Sequence, residues 1–192
     1  MPKEAAAMVI RISVFVLTLV ATPMAVFAQN SRADGVAARI GYQALHIPDE
    51  TFPFGLNFDV AAPVTSRMHL VGEFGFAKDE QTESGVSGNL TLYNLGGGAR
   101  WTPLRNVPAA RGTLVPFAQV LIGALRTDAD LALNGESFND ADWAFMIQPG
   151  GGVTIPLSPA LGVVGQVDYR RAFFSTAENE FRFVIGVQIQ RR

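Results

Sequence analysis

No cysteine occurs among the 192 residues. That removes disulfide frameworks, thiolate metal sites and thiol nucleophiles together, and it suits passage through an oxidising compartment, where stray thiols are a liability. Histidine is nearly as scarce, with only His46 and His69. Long hydrophobic runs are missing beyond the first 28 residues. No later stretch approaches the ~20 apolar residues of a spanning helix without a charge or a glycine cluster, which excludes a helical inner-membrane protein. A β-barrel is not excluded, because its strands need only ~9–11 residues each. An excess of positive charge is also lacking. The formal net charge of −2 speaks against a nucleic-acid partner.

The N-terminus reads as an address. Lys3 and Arg11 form a positive n-region and residues 12–22 an apolar h-region. Pro23 breaks that run, and Val26 and Ala28 are small residues at the two positions a signal peptidase reads. The pattern predicts a signal peptide over 1–28 and a mature domain over 29–192. An uncleaved anchor fits less well, since the h-region is short of a spanning length. Removing residues 1–28 takes away Lys3, Arg11 and Glu4 and moves the formal charge from −2 to −3.

What the mature chain has is alternation. In 181–190 the odd positions are Phe181, Phe183, Ile185, Val187 and Ile189, and the even positions are Arg182, Val184, Gly186, Gln188 and Gln190. This is a period-2 strand with one apolar and one mostly polar face. Seven further stretches read alike: 35–46, 52–62, 68–77, 88–101, 114–126, 143–155 and 161–173. Six prolines (Pro48, Pro63, Pro103, Pro108, Pro156 and Pro159) fall in the intervening turns and Pro53 at a strand start. Pro116 and Pro149 fall inside strands, where each deletes a ladder hydrogen bond. The connections 78–87 and 127–142 read as long polar loops, 47–51 as a turn, and 63–67 and 156–160 as tight reversals. The fold class predicted is all-β, an eight-stranded antiparallel up-and-down transmembrane β-barrel.

Charge and strand ends choose which face meets which medium. Arg39, Asp59, Glu73, Arg100, Asp168, Arg170 and Arg182 all lie on the polar face, and the opposite face is almost free of charge. A soluble, lipocalin-like barrel would turn the apolar face inward around a ligand. Against that, aromatics collect near strand ends on the apolar face (Phe54, Phe76, Trp101, Trp143, Tyr169 and Phe181), as expected of a girdle at a lipid–water boundary. The loops also differ by side. Twelve of the 17 acidic residues, among them Asp49, Asp79, Asp128, Asp142, Glu178 and Glu180, fall on the side with the long loops. Compact, proline-bearing, basic connections occupy the other. Short turns opposite longer external loops are the outer-membrane pattern.

The segments NLGGGARW (94–101), VPFAQVLIGALR (115–126), GGGVTIPLS (150–158) and NEFRFVIGVQIQ (179–190) carry a family likeness. With the eight-strand pattern, the chain from about Gly35 onward resembles the small outer-membrane β-barrel proteins, the class containing the transmembrane domain of outer membrane protein A and the opacity-type porin-like proteins. The resemblance implies residence in the bacterial outer membrane, contact with outer-membrane lipid and lipopolysaccharide, insertion by the barrel-assembly machinery, and no cofactor. One departure stands out. Such proteins commonly end on an aromatic residue read by that machinery, whereas this chain ends Arg191-Arg192.

An eight-stranded barrel is just wide enough for its own side chains, so the inward charges read as a plug. A last hairpin turning about Ser175 sets Arg182 opposite Asp168 inside and Tyr169 opposite Phe181 outside. Glu73 and Asp59 are expected to neutralise some of Arg39, Arg100 and Arg170. The alternative is a narrow channel, open only if these pairs rearrange. Catalysis finds little support. His46 has no adjacent serine, and His69 near Ser66 reads more simply as a lumen histidine than as a dyad. The glycine triplets 96–98 and 150–152 precede no helix, so they cradle no phosphate; in strands they permit bends and close approach. The acidic loops lack the ligand spacing of a calcium site. They read as a solvated surface, as a divalent-cation bridge to lipopolysaccharide phosphates, or as an adhesion surface. The function expected is a structural outer-membrane barrel that stabilises the envelope or presents acidic loops, with a low-conductance channel and a secreted ligand-binding barrel as alternatives.

Overall fold

The computed structural model describes residues 35–47, 50–83, 86–103, 113–133, 136–175 and 177–191. The signal peptide expected over 1–28 lies outside them, as does most of the 102–113 connection. Among the described residues nine strands run in chain order: β1 (Ala37–Ile47), β2 (Glu50–Phe52), β3 (Phe54–Pro63), β4 (Met68–Glu83), β5 (Val86–Trp101), β6 (Val115–Leu133), β7 (Glu136–Pro156), β8 (Leu161–Phe173) and β9 (Ala177–Gln190). From β3 onward each pairs antiparallel with the next. β1 closes the ring against β9, from Ala37↔Gln190 to His46↔Phe181.

β2 and β3 form one stave. β1 pairs with β3 up to Tyr42↔Leu56 and with β2 from Leu45↔Phe52. The register slips by one residue at Pro53, a β-bulge where proline has no N–H to give. The wall is therefore a closed barrel of eight antiparallel staves. Successive pairings around the ring return to β1 displaced by about ten residues, which corresponds to strands inclined about 40° to the barrel axis.

The faces divide as sharply as the alternation suggests. In β9, Phe181, Phe183, Ile185, Val187 and Ile189 are exposed while Glu180, Arg182 and Val184 are buried. In β1, Ile40 and Tyr42 point out and Arg39 and Gln43 in. Arg39, Asp59, Glu73, Arg100, Asp168, Arg170 and Arg182 are all buried on the inside. A soluble ligand-binding barrel has the opposite arrangement. Here the exterior is a continuous apolar belt, far larger than the patches that soluble monomers tolerate.

Two segments read as loops are strand. β4 and β5 pair out to Glu83↔Val86, and β6 and β7 out to Leu133↔Glu136. Residues 78–83 with 86–87, and 127–133 with 136–142, thus extend the wall as paired strands. Above the apolar belt both faces of a sheet meet water, so no alternation marks it, although the backbone ladder continues. Likewise β2 begins inside the 47–51 turn and β9 starts at Ala177, before the 181–190 stretch.

Pro149 interrupts one ladder only. β7 pairs with β8 at Ile147↔Arg171 and resumes at Gly150↔Asp168, while its pairing with β6 runs on through Val120↔Pro149. The missing N–H is one that faces β8. Pro116 lies beyond Trp101↔Ala118, the last β5–β6 pair at that end. At the short-turn end, two reversals are built alike. Val64 and Thr65 donate their amides to Met68 O, and the Thr65 hydroxyl accepts from the amides of Arg67 and Met68. Leu157 and Ser158 donate to Leu161 O, and the Ser158 hydroxyl accepts from Ala160 and Leu161. Hydroxyl-capped turns of this kind close a strand pair without glycine.

Candidate functional site

The lumen is packed in layers. Nearest the long hairpins sits an apolar plug of Leu45, Phe52, Ala77, Leu92, Leu125, Ala144, Met146 and Ala172, flanked by Ile47, Leu90 and Phe174. The bulge at Pro53 creates part of it. Unbroken alternation would send Phe52 outward with Phe54, but the extra residue turns it inward to full burial.

Below the plug lies a charged layer centred on Arg182. Its Nη1 and Nη2 donate to Glu73 Oε1 and Oε2 at 2.7 and 2.8 Å, a bidentate fork. Its Nε donates to Asp168 Oδ2 at 2.9 Å, and Nη2 reaches the same oxygen. Gln43 Oε1 accepts a further bond from Nη1 at 3.2 Å. Neutral amides complete the acceptors: Asn94 and Gln148 donate to Glu73, and Gln166 and Gln119 to Asp168. Asp168 fits because its partner across the ladder is Gly150. A Cβ at Gly150 would fall inside the Asp168 carboxylate.

Two other pairs flank this cluster. Arg100 makes a bidentate contact with Asp59, both bonds at 3.1 Å, and donates from Nε to Gln119 Oε1 at 2.9 Å. Arg170 bonds Glu180 Oε2 at 3.0 Å and Gln148 Oε1 at 2.9 Å. Asp59 thus takes Arg100, one of the three arginines expected for it, whereas Glu73 is held by Arg182 and by none of them. Glu180 belongs to the lumen instead of the acidic rim, which corrects the sequence reading. Its place in the lumen follows from β9 starting earlier than its apolar alternation does.

Arg39 is different. Its Nε donates to Gln188 Oε1 at 2.8 Å and its Nη2 to Thr154 Oγ1 at 3.3 Å, with the guanidinium 4.4 Å from the Phe117 ring centre. Among the described residues no carboxylate is bonded to it. The eight buried charges nevertheless balance, since Arg39, Arg100, Arg170 and Arg182 are matched in number by Asp59, Glu73, Asp168 and Glu180. Arg182 holds two carboxylates and Arg39 none. A cavity of about 50 Å³ at the short-turn mouth is lined by Thr154, Gly162, Gln188 and Gln190 among others, room for a water molecule or two.

Outside, the aromatics gather toward the long-hairpin end. Phe54 makes edge contacts with Tyr42 and Phe76, and Phe76 pairs with Tyr93. Tyr169 and Phe181 meet edge-to-face at 5.5 Å, and Phe145 lies 6.0 Å from Phe173. Trp143 packs under Arg126, whose Nε also bonds Asp128 at 2.8 Å. Trp101 stands apart at the short-turn end, paired with Met68. His46 sits at the other rim, its Nδ1 2.9 Å from Thr51 Oγ1, whereas His69 pairs with Pro63 and Arg100 near the short turns. Nothing brings the two histidines together. Among the described residues no cluster of His, Asp and Glu is arranged to hold a metal ion.

No protein-family model and no curated protein sequence matches this chain. Solved structures do. The attachment invasion locus protein Ail of Yersinia pestis is 14% identical with a TM-score of 0.61, over 83% of this chain and 99% of that one. Neisserial surface protein A is 13% identical with a TM-score of 0.60, over 81% and 96%. The outer membrane protein OprG from Pseudomonas aeruginosa is 10% identical with a TM-score of 0.54, over 85% and 99%. At such identities the likeness is one of fold. The architecture is that of the small eight-stranded outer-membrane barrels.

Proposed function

We propose that this chain is a bacterial outer-membrane protein whose barrel is a closed anchor and whose acidic hairpins are its working surface. The observation that carries the reading is the lumen. An apolar plug lies above four buried arginines and four buried carboxylates; Arg100, Arg170 and Arg182 hold the carboxylates, and Arg39 bonds Gln188 and Thr154. That packing leaves the interior no evident transport role. The wall has the lipid-facing belt of a membrane barrel, with the aromatics Phe54, Phe76, Tyr169 and Phe181 placed to meet the outer headgroups and Trp143 just beyond. Export through the signal peptide at 1–28, contact with lipopolysaccharide and insertion by the assembly machinery belong to the same proposal.

The hairpins β4–β5 and β6–β7 are far longer than a bilayer requires. Material held beyond the membrane by a continuous sheet is suited to contact with other molecules, an attachment-type role. Ail, an attachment protein, has been crystallised with a heparin analogue, a polyanion; the acidic hairpins here favour ligands of the opposite charge. The test has two arms. Separated envelopes should carry the protein in the outer-membrane fraction as a band whose gel mobility shifts on boiling. The purified barrel in a planar bilayer should pass no steady current. Sustained conductance altered in an Arg182→Met variant would make the chain a channel, and recovery without detergent would make it a soluble protein.

A further inference from the structure

Beyond the apolar belt, β4 to β7 continue upward together while the neighbouring staves stop. β8 ends at Phe173, and on the other flank the pairing of β3 with β4 ends at Phe54↔Lys78. β7 shows what this leaves. On its β6 side pairing is continuous from Glu136 to Thr154. On its β8 side pairing begins only at Phe145↔Phe173. Residues 136–144 therefore carry a sheet edge that no described strand covers.

Which amides face that edge follows from antiparallel geometry, in which alternate residues direct N–H and C=O to opposite sides. Pro149, whose missing N–H breaks the β8 ladder, puts odd-numbered positions on the β8 side. Trp143 agrees with this: its N–H is donated to Asp142 Oδ1 at 2.8 Å and not to β6. Residues 137, 139 and 141 share the same side. An uncovered edge is a template for an added strand, and charged side chains along it are a common way of keeping that template from pairing indiscriminately. Asp142 is such a charge here, and its carboxylate also occupies the Trp143 amide.

The chemistry of the occupant follows from charge. Over residues 78–83, 86–93, 126–133 and 136–143 the projecting sheet carries eight acidic residues against Lys78 and Arg126. A second copy of the chain would bring the same negative charge to the edge and be repelled. A lysine- or arginine-rich segment would be drawn in, and its cation could take Asp142 away from the Trp143 amide as the new ladder formed. We propose that the free edge of β7, residues 137–143, takes up an extended basic segment of another protein as an additional strand. This rests on the surface-presenting reading above.

The test uses the full barrel in detergent micelles and a labelled eight-residue peptide of alternating threonine and lysine. A threonine–glutamate peptide is the control. Hydrogen exchange at residues 137–143 should slow at least tenfold with the basic peptide and remain unchanged with the acidic one. Ala141→Pro removes one edge amide without touching a β6 bond, and it should weaken peptide binding at least tenfold while the gel shift on boiling persists. Exchange on the unsubstituted barrel stands whether or not that variant folds. Binding with no protection of 137–143, or equal binding by Ala141→Pro, would reduce the interaction to diffuse charge and overturn the proposal. Protection that rises with barrel concentration and no peptide would assign the edge to a second copy, which also overturns it. A barrel that shifts on boiling yet binds nothing refutes this inference alone; a chain that never enters the membrane fraction refutes the reading beneath it.

Discussion

Replacing Arg182 by methionine removes the cation at the centre of the lumen and leaves Glu73 and Asp168 behind. Both carboxylates are almost completely buried, at 2% and 0% exposure. Each keeps only neutral donors, Asn94 and Gln148 for Glu73 and Gln166 and Gln119 for Asp168. Two like charges then share a site with no cation bonded to either. Breaking a buried ion pair on one side costs about 3–5 kcal/mol, or roughly a 10²- to 10⁴-fold fall in the folding equilibrium. Neutralising all three groups together, as Arg182→Met with Glu73→Gln and Asp168→Asn, removes the stranded charge. That triple variant should lie within about 1–2 kcal/mol of the starting protein, because an intact buried pair contributes little net stability. Urea unfolding in lipid vesicles, followed by the fluorescence of Trp101 and Trp143, measures both. A loss below about 1 kcal/mol for the single variant would mean that water already reaches the cluster. A triple variant as damaged as the single one would mean that shape, not charge, governs the site.

Other consequences follow from single contacts. Gly150→Ala drives a methyl group into the Asp168 carboxylate, so it should cost about 1–3 kcal/mol in the same assay, and adding Asp168→Ala should recover part of that loss. The outward pair Tyr169–Phe181, whose Tyr169 hydroxyl donates to Asn179 Oδ1 at 2.6 Å, should show about 0.5–1.5 kcal/mol of coupling in a double-mutant cycle. Zero coupling would make the rings independent lipid contacts.

How much of this could be read from residue order depends on the medium each segment meets. Where a strand crosses from a greasy exterior to a polar lumen, alternation is forced, and β8 coincides with the 161–173 stretch. Asp168 and Arg182 could be set opposite each other because both count symmetrically from Ser175. Above the belt that contrast vanishes, which is why the hairpin extensions looked like loops and why Glu180 looked like part of an acidic rim. The apolar plug was hidden for another reason. Leu45, Leu92, Leu125 and Met146 are apolar residues on the inner face, as Met146 is between the outward Phe145 and Ile147, so at this level polarity does not mark which face is the lumen. Phe52 required the bulge at Pro53, and a proline at a strand start does not announce a change of face. The partner of Arg170 and the amide surroundings of Arg39 are matters of which staves stand across the lumen, set by the stagger of the ring and not by any local spacing.

The central claim is that lipid covers the apolar face and the charged face is sealed inside. Because the chain has no cysteine, single cysteines can be placed one at a time along β9 and spin-labelled in lipid vesicles. Labels at 183, 185 and 187 should be accessible to oxygen dissolved in the bilayer, while that at 184 should be immobile and reached by neither oxygen nor a water-soluble relaxant, so that access alternates along the strand. Outward positions that respond to the water-soluble relaxant instead would show that water, not lipid, surrounds the barrel, and would contradict the account.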